Sequence, residues 1–348
     1  MIKRRRTRQV KVGGVKIGGN APISIQSMTT SRTANAKATV AEIRRLEGAG
    51  CEIARVAIRD LADASAVKEI NRKIRIPLVC DIHFDYKLAL ACIRAGADKI
   101  RLNPGNIKNR EEIAAVAKVA RKRHIPIRVG VNSGSAGGSS PDALVGAAKR
   151  YIKILEELDF HDIIVSLKAS DVVSTVESYR KMSEICDYPL HLGVTASGPY
   201  KTGIVKSSIG IGSLLLDGIG DTLRVSLTAD PVEEVDAAKR ILSSLNLRNF
   251  GPEIISCPTC GRCQVDLLNI VADIEKKLSA IDHRPSAKRP VKIAVMGCEV
   301  NGPGEAKEAD IGIAAGKGSG VLFINGRIVR RVKESNFAAE LLKELKKI

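Results

Sequence analysis

Eight times between residues 23 and 226, a short run rich in β-branched residues gives way to an amphipathic stretch at helical spacing, a rhythm that few folds accommodate. The runs are ISIQSM at 23–28, EIARVAI at 52–58, PLVCDI at 77–82, DKIRLN at 98–103, PIRVGV at 126–131, DIIVSL at 162–167, LHLGVT at 190–195 and DTLRVS at 221–226. Helix starts lie between them. Thr39 with Glu42 reads as a capping box, and Ser140-Pro141 and Asp230-Pro231 read as caps followed by proline at the first helical position. Near-continuous apolar runs suit strands of a parallel sheet covered on both faces. No G-x-G-x-x-G follows the first run, so a doubly wound dinucleotide fold is disfavoured, and eight units suit closure. The expected fold is α/β: a (β/α)8 TIM barrel over residues 1–248, then a small α+β domain over 249–348. The second domain opens at EIISCPTC and is expected to hold a helix at 265–278, strands at 291–296, 309–314 and 320–324, and a helix from about 336. Ahead of the barrel, Val10 and Val12, the pair Gly13-Gly14, then Val15 and Ile17 spell a hairpin, expected to lie solvated at an edge.

A net charge of +18 calls for an anionic partner: nucleic acid, a small anion or an acidic protein. The chain has no Trp, five Phe and five Tyr, too few stacking platforms for single-stranded nucleic acid, so no nucleic-acid partner is expected. No apolar stretch approaches the ~18 residues of a membrane span, and none follows the basic start MIKRRRTRQ as in a signal peptide. A cytoplasmic protein with no membrane partner is expected. Cys51, Cys80, Cys92 and Cys186 are scattered and read as small core hydrophobes rather than a disulfide framework.

Barrel active sites lie at the carboxyl ends of the strands. Those ends carry Gln26, Ser27, Arg55, Asp81, His83, Arg101, Asn103, Arg128, Asn132, Lys168, His191, Arg224 and Ser226. Several cations at the lip of apolar runs are costly to bury alone and suit a diphosphate, whose oxygens guanidinium groups bind in pairs. The alternative is that each arginine serves a structural ion pair.

Downstream, Cys257, Cys260 and Cys263 follow one another at a spacing of three, and Cys298 ends a predicted strand before a Gly/Pro-rich loop reaching Glu305. Cys-x-x-Cys with a distant cysteine fits either zinc or an iron-sulfur cluster, and spacing alone leaves both open.

Six stretches, SCPTCGRCQVD, VMGCEVNGPGEAKEADIG, DIHF, RLNPGNI, RVGVNSGS and GIGDTLRVSLTADP, together resemble the 4-hydroxy-3-methylbut-2-enyl diphosphate synthases of the non-mevalonate isoprenoid route, across essentially the whole chain. The resemblance implies a (β/α)8 barrel followed by a 4Fe-4S domain, with the cluster held by Cys257, Cys260, Cys298 and Glu305. Cys263 departs from the family pattern and is expected to be a spectator. The implied reaction is reductive opening of 2-C-methyl-D-erythritol 2,4-cyclodiphosphate with loss of water, fed by ferredoxin or flavodoxin. Substrate contacts fall on Arg55, Asp81, Arg101, Asn103, Arg128, Asn132, Lys168 and Ser226, of which Asp81 and Lys168, together with His83, are expected to be catalytic. A homodimer is implied, the cluster domain of one subunit closing the barrel of the other. The family's proton-handling glutamate on the seventh strand is replaced by Ala196 in GVTASG, so that role is expected to move to Asp81 or His83, or the chain is a paralogue with another diphosphate substrate. A different class of reading is a zinc-stabilised RNA-binding protein. A third, an electron carrier, leaves the barrel's cations without a purpose.

Overall fold

The computed structural model describes residues 2–135, 138, 140–279, 290–300 and 302–347; the side chains of Ser135, Ser279 and Glu305 lie outside that description. The chain divides into two compact units, Met1–Leu247 and Arg248–Ile348. The first opens with a hairpin of β1 (Val10–Val12) and β2 (Val15–Ile17). Eight strands and eight helices then alternate: β3 (Ser24–Met28), α1 (Ala36–Ala49), β4 (Ile53–Ile58), α2 (Leu61–Lys73), β5 (Leu78–Ile82), α3 (Tyr86–Ala95), β6 (Lys99–Leu102), α4 (Arg110–Lys122), β7 (Ile127–Asn132), α5 (Pro141–Glu157), β8 (Ile163–Lys168), α6 (Val172–Ile185), β9 (His191–Leu192), α7 (Tyr200–Leu216), β10 (Thr222–Leu223) and α8 (Pro231–Ser244). The strands pair in the order β8-β7-β6-β5-β4-β3-β10-β9, all parallel. A bridge between Val165 and Leu190 brings the two ends together, which makes the sheet a barrel.

β9 and β10 are two-residue strands where six residues were expected. Both runs carry side chains or glycines that serve the interior instead of the ladder, as described below. Ser140 and Asp230 cap α5 and α8, accepting from the amides of Ala143 and Val232. The expected capping box at Thr39 does not form. Asn35 caps α1, and Glu42 reaches outward to the amides of Thr30 and Ser31, fastening the β3–α1 loop.

The hairpin is not a solvated edge. Val10, Val12 and Ile17 are buried with Ile53, Val79 and Ile164, residues near the amino-terminal ends of three barrel strands, so the hairpin plugs the bottom of the barrel while Lys11 and Lys16 face out. The basic run before it is spent on structure. Arg4 bonds the Ala21 carbonyl and Asp221, Arg5 the carbonyls of Ser183 and Tyr188, and Arg8 both oxygens of Asp187. Cys51, Cys80 and Cys92 are buried and unbridged, and Cys186 is half-buried.

The second unit holds a five-stranded sheet in chain order: β11 (Glu253–Ser256), β12 (Lys292–Met296), β13 (Ile311–Gly316), β14 (Ser319–Ile324) and β15 (Arg327–Lys333). The first three are parallel, the last two antiparallel. α9 (Leu267–Ser279) and α11 (Phe337–Leu345) cover one face through Leu267, Ile274, Phe337 and Leu341, packed on Ile293, Ile311 and Ile313. The short α10 (Gly302–Lys307) covers the other, Ala306 meeting Ala294, Met296 and Phe323. β15 and α10 were not anticipated. RIVRRVK is charge-dense, as suits an exposed edge strand, and GPGEAK hides a helical turn behind two glycines and a proline tolerated in a first turn.

Candidate active site

The barrel's inward positions hold a chain of cations around one acid. Asp81 on β5 is almost fully buried, with Arg55 of β4 at 2.5 Å from one carboxylate oxygen and Arg101 of β6 at 3.1 Å from the other. Arg101 is held further by the Gly130 carbonyl at 2.7 Å, and a Cβ on Gly130 would lie 2.3 Å from its Nε, so only glycine lets the guanidinium pass. Burial by itself would raise the Asp81 carboxyl, but Arg55 and then Arg101 outweigh it and hold the group well below the usual carboxylate range. Asp81 therefore serves as a fixed negative charge. His83, just past β5 and half-exposed, places Nε2 3.6 Å from the same carboxylate.

Arg128 lies beside Arg101 in the register of β6 and β7, buried, with Nε and Nη1 unpartnered among the described residues. Burial, then Arg55 and Arg101, disfavour its charge. Because an arginine does not surrender its proton in a protein, that cost becomes a driving force for binding an anion. Lys168 ends β8, paired in register with Asn132 at the end of β7. Burial and repulsion from Arg128, Arg224 and Arg55 push its ammonium well below the ordinary lysine value. A Cβ on Gly193 would sit 2.5 Å from its Nζ, so the residue that ends β9 early is the one that admits this amine.

Arg224 has a different fate. Its guanidinium meets both oxygens of buried Glu234 on α8 at 3.0 and 2.9 Å, and Ser27 adds a hydrogen bond to that carboxylate at 2.9 Å. The ion-pair alternative is thus realised in full at Arg224 and in part at Arg55 and Arg101. With that pair set aside, Asp81 is the acid that Arg55 and Arg101 meet, and Lys99, Arg128 and Lys168 crowd against these cations with no ion pair of their own among the described residues. Asn103 is buried just past β6, its Oδ1 accepting from the Gly105 amide, and Ser226 is half-buried beyond β10. Ala196 is exposed in the loop after β9, with φ at 49°.

Lys99 begins its strand instead of ending it, so it lies outside the strand-end positions that the sequence singles out. Its parity with Arg101 was the available signal, since residues two apart share a face.

In the second unit, Cys257 directly follows β11 and Cys298 follows β12 by two residues, at the carboxyl ends of adjacent parallel strands. Gly297 is the meeting point: its amide donates to Cys257 Sγ at 3.3 Å, and a Cβ on it would lie 2.5 Å from Cys263 Sγ. Cys298 is buried, Cys260 exposed, and Cys263 donates to the Val265 carbonyl at 3.3 Å. Among the described residues, no three His, Cys, Asp or Glu side chains are drawn together as a ready metal site. The donor set nonetheless fits a thiolate-held cluster: soft sulfurs on two converging loops, with a backbone N–H aimed at one of them. Glu305, the expected fourth ligand, has its side chain outside the described residues. No helix among the described residues is long and apolar enough to cross a membrane.

A barrel with a carboxylate-poor cationic interior, joined to a domain with cysteines at its strand ends, defines a two-domain enzyme for a compact, multiply charged anion. The chain belongs to the GcpE family: the model of the GcpE TIM-barrel domain matches residues 7–239, and that of the GcpE protein C-terminal domain matches residues 253–347. Similar curated proteins include the "4-hydroxy-3-methylbut-2-en-1-yl diphosphate synthase (flavodoxin)" of Thermodesulfovibrio yellowstonii, 54% identical over 100% of both chains. That of Shouchella clausii is 55% identical over 100% of this chain and 95% of its own. Among solved structures, dihydropteroate synthase from Stenotrophomonas maltophilia aligns with a TM-score of 0.54 at 14% identity, over 69% of this chain and 98% of that one. The Yersinia pestis enzyme gives 0.52 at 12% identity, over 68% and 98%. At such identities the likeness shows the fold alone.

Proposed function

We propose that this chain is a 4-hydroxy-3-methylbut-2-enyl diphosphate synthase, which opens 2-C-methyl-D-erythritol 2,4-cyclodiphosphate reductively and releases water. The observation that carries the residue-level reading is the surplus of buried cations over Asp81. Arg55, Arg101, Arg128 and Lys168 bind the diphosphate, and Asp81 aims the first two of these arginines. Asn103, Asn132 and Ser226 supply hydrogen bonds to the remaining oxygens. A hydroxyl that leaves as water needs a proton, and His83, exposed enough to exchange with solvent and oriented by Asp81, is the group we assign to deliver it. Asp81 itself, held ionised by two arginines, is suited to positioning and poorly suited to donating a proton.

Cys257, Cys260, Cys298 and Glu305 are the residues we assign to a 4Fe-4S cluster, with Cys263 a spectator. When bound, such a cluster supplies the two electrons of the reaction one at a time. The electron donor in this reading is flavodoxin, as in the relatives' names, and the net charge of +18 favours an acidic partner as well as an anionic substrate. Assembly as a homodimer and a cytoplasmic location complete the proposal. Anaerobic purification followed by assay with the cyclodiphosphate and a reduced viologen tests it. Iron, acid-labile sulfide and product formation are expected; a colourless zinc protein without turnover would refute it.

A further inference from the structure

Beneath the arginines lies a second polar layer. Lys99 precedes Arg101 by two residues on β6, so it faces the same interior about 6–7 Å nearer the bottom of the barrel at roughly 3.3 Å per residue. It is fully buried. Its Nζ reaches Gln26 Oε1 at 3.4 Å, and Gln26 belongs to β3, which β4 and β5 separate from β6, so the contact crosses the barrel's interior. Among the described residues, Gln26 Nε2, Arg128 Nε and Nη1, and His191 Nε2 are buried nearby in the sheet with no hydrogen-bond partner. Four unmet nitrogens and a barely satisfied amine form a built but unfinished site, and buried polar groups are rarely left so without cause.

The charges acting on Lys99 are Arg128 from β7 and Arg55 from β4, and both repel it. His191 faces the same group from β9 and is itself held well below its ordinary value by burial, Arg128, Lys168 and Lys99. Burial first, then Arg128 and Arg55, push Lys99 well below the ordinary lysine value, toward the neutral amine. A dianion seated on the arginines offsets that repulsion.

We propose that Lys99 and Gln26 form the floor of the anion site and that Lys99 takes up one proton from solvent as the cyclodiphosphate binds. This rests on the functional reading above and deepens it. The substrate cannot be the acceptor: each phosphorus of the cyclic diphosphate carries one ester bond, one anhydride bond and a single, strongly acidic ionised oxygen. The proton therefore comes from buffer and converts the Lys99 amine to ammonium; Lys168 and His191, also held below their ordinary values by burial and neighbouring cations, are the competing acceptors, and the Lys99 variants separate them from it.

Calorimetric titration of the anaerobic, cluster-loaded, oxidised protein with the cyclodiphosphate, repeated in buffers of different ionisation enthalpy, counts protons taken up per site. Wild type is expected to take up as much as about one proton per site over the pH range in which the free amine is neutral, and the uptake to fade as pH falls and the free amine is already charged. Lys99→Met is expected to bind at least about tenfold more weakly and to lose the uptake. Lys99→Gln gives the same readout in a polar side chain that better suits the Gln26 contact. Wild-type binding without uptake, or full uptake in either folded variant, overturns the proposal and leaves the synthase assignment standing. Failure of wild type to bind the cyclodiphosphate takes down both.

Discussion

Replacing Asp81 with Asn separates charge from shape at the centre of the site. The carboxylate contacts two guanidinium groups, at 2.5 and 3.1 Å. At an effective dielectric of 20 each pair is worth about 4 kcal/mol in gross attraction, and desolvating the carboxylate returns several of these. The net loss on neutralising it is about 3–5 kcal/mol, because Arg55 and Arg101 are left buried and repelling. For a unit of this size, 1 kcal/mol moves the midpoint by about 2–4 °C, so Asp81→Asn should melt about 6–20 °C lower by circular dichroism. The pH sign follows from the carboxyl's depressed value. The stabilisation is complete above the unfolded aspartate value near 4 and is lost as pH falls through and below it, so the gap between wild type and variant should narrow in acid. An anion should rescue the variant: inorganic pyrophosphate at about 100 times its Kd adds about 2.7 kcal/mol, recovering about 5–10 °C. The apparent Kd for pyrophosphate should also fall, since the arginines lose their internal competitor. An unchanged midpoint at neutral pH, or a loss that pyrophosphate does not touch, would refute the view that Asp81 holds a cation cluster waiting for an anion.

Arg128→Ala should weaken cyclodiphosphate binding by about 2–4 kcal/mol, read as a rise in Kd; a lowered melting point with unchanged Kd would return Arg128 to a structural role. Cys257→Ser, Cys260→Ser and Cys298→Ser should each lose iron and sulfide, whereas Cys263→Ser should keep both, and cluster loss in the last would show the ligand assignment to be wrong. His83→Gln should lower kcat by about 10²–10⁴-fold without changing iron content, and Ala196→Glu should alter the rate only modestly. A gain of about tenfold or more in Ala196→Glu would move the proton-handling role back to the loop after β9.

The barrel was legible because burial on both faces leaves an uninterrupted apolar run for each strand, and the helices between them carry their own stops and starts. What escaped depended on residues distant in sequence. The alternation of Val10, Lys11 and Val12 is the same for an edge hairpin and for a plug; only the presence of Ile53, Val79 and Ile164 beneath it decides. Glu42 stands three residues after Thr39, but the β3–α1 loop folds back to offer it two amides, and Asn35 takes the cap. The Gly-rich start of α10 and the cations of β15 concealed regular structure for local reasons: each residue is a poor former, and packing on β13 and β14 overrides propensity.

The same non-locality governs the site. Arg55, Arg101, Arg128 and Arg224 look alike in the sequence, each a cation in an apolar strand or just past its end. Glu234, ten residues on and a helix away, neutralises one of them completely. Asp81 is shared between two, and Arg128 keeps two nitrogens without partners among the described residues. Lys99 lies one layer deeper, where a search of strand ends does not reach. A barrel core tolerates charge when each group has a partner, so the functional signal is what remains after internal pairing is complete. Here that remainder is several cations with no ion pair among the described residues, stacked from the mouth toward the floor, and a small polyanion is the chemistry that completes it.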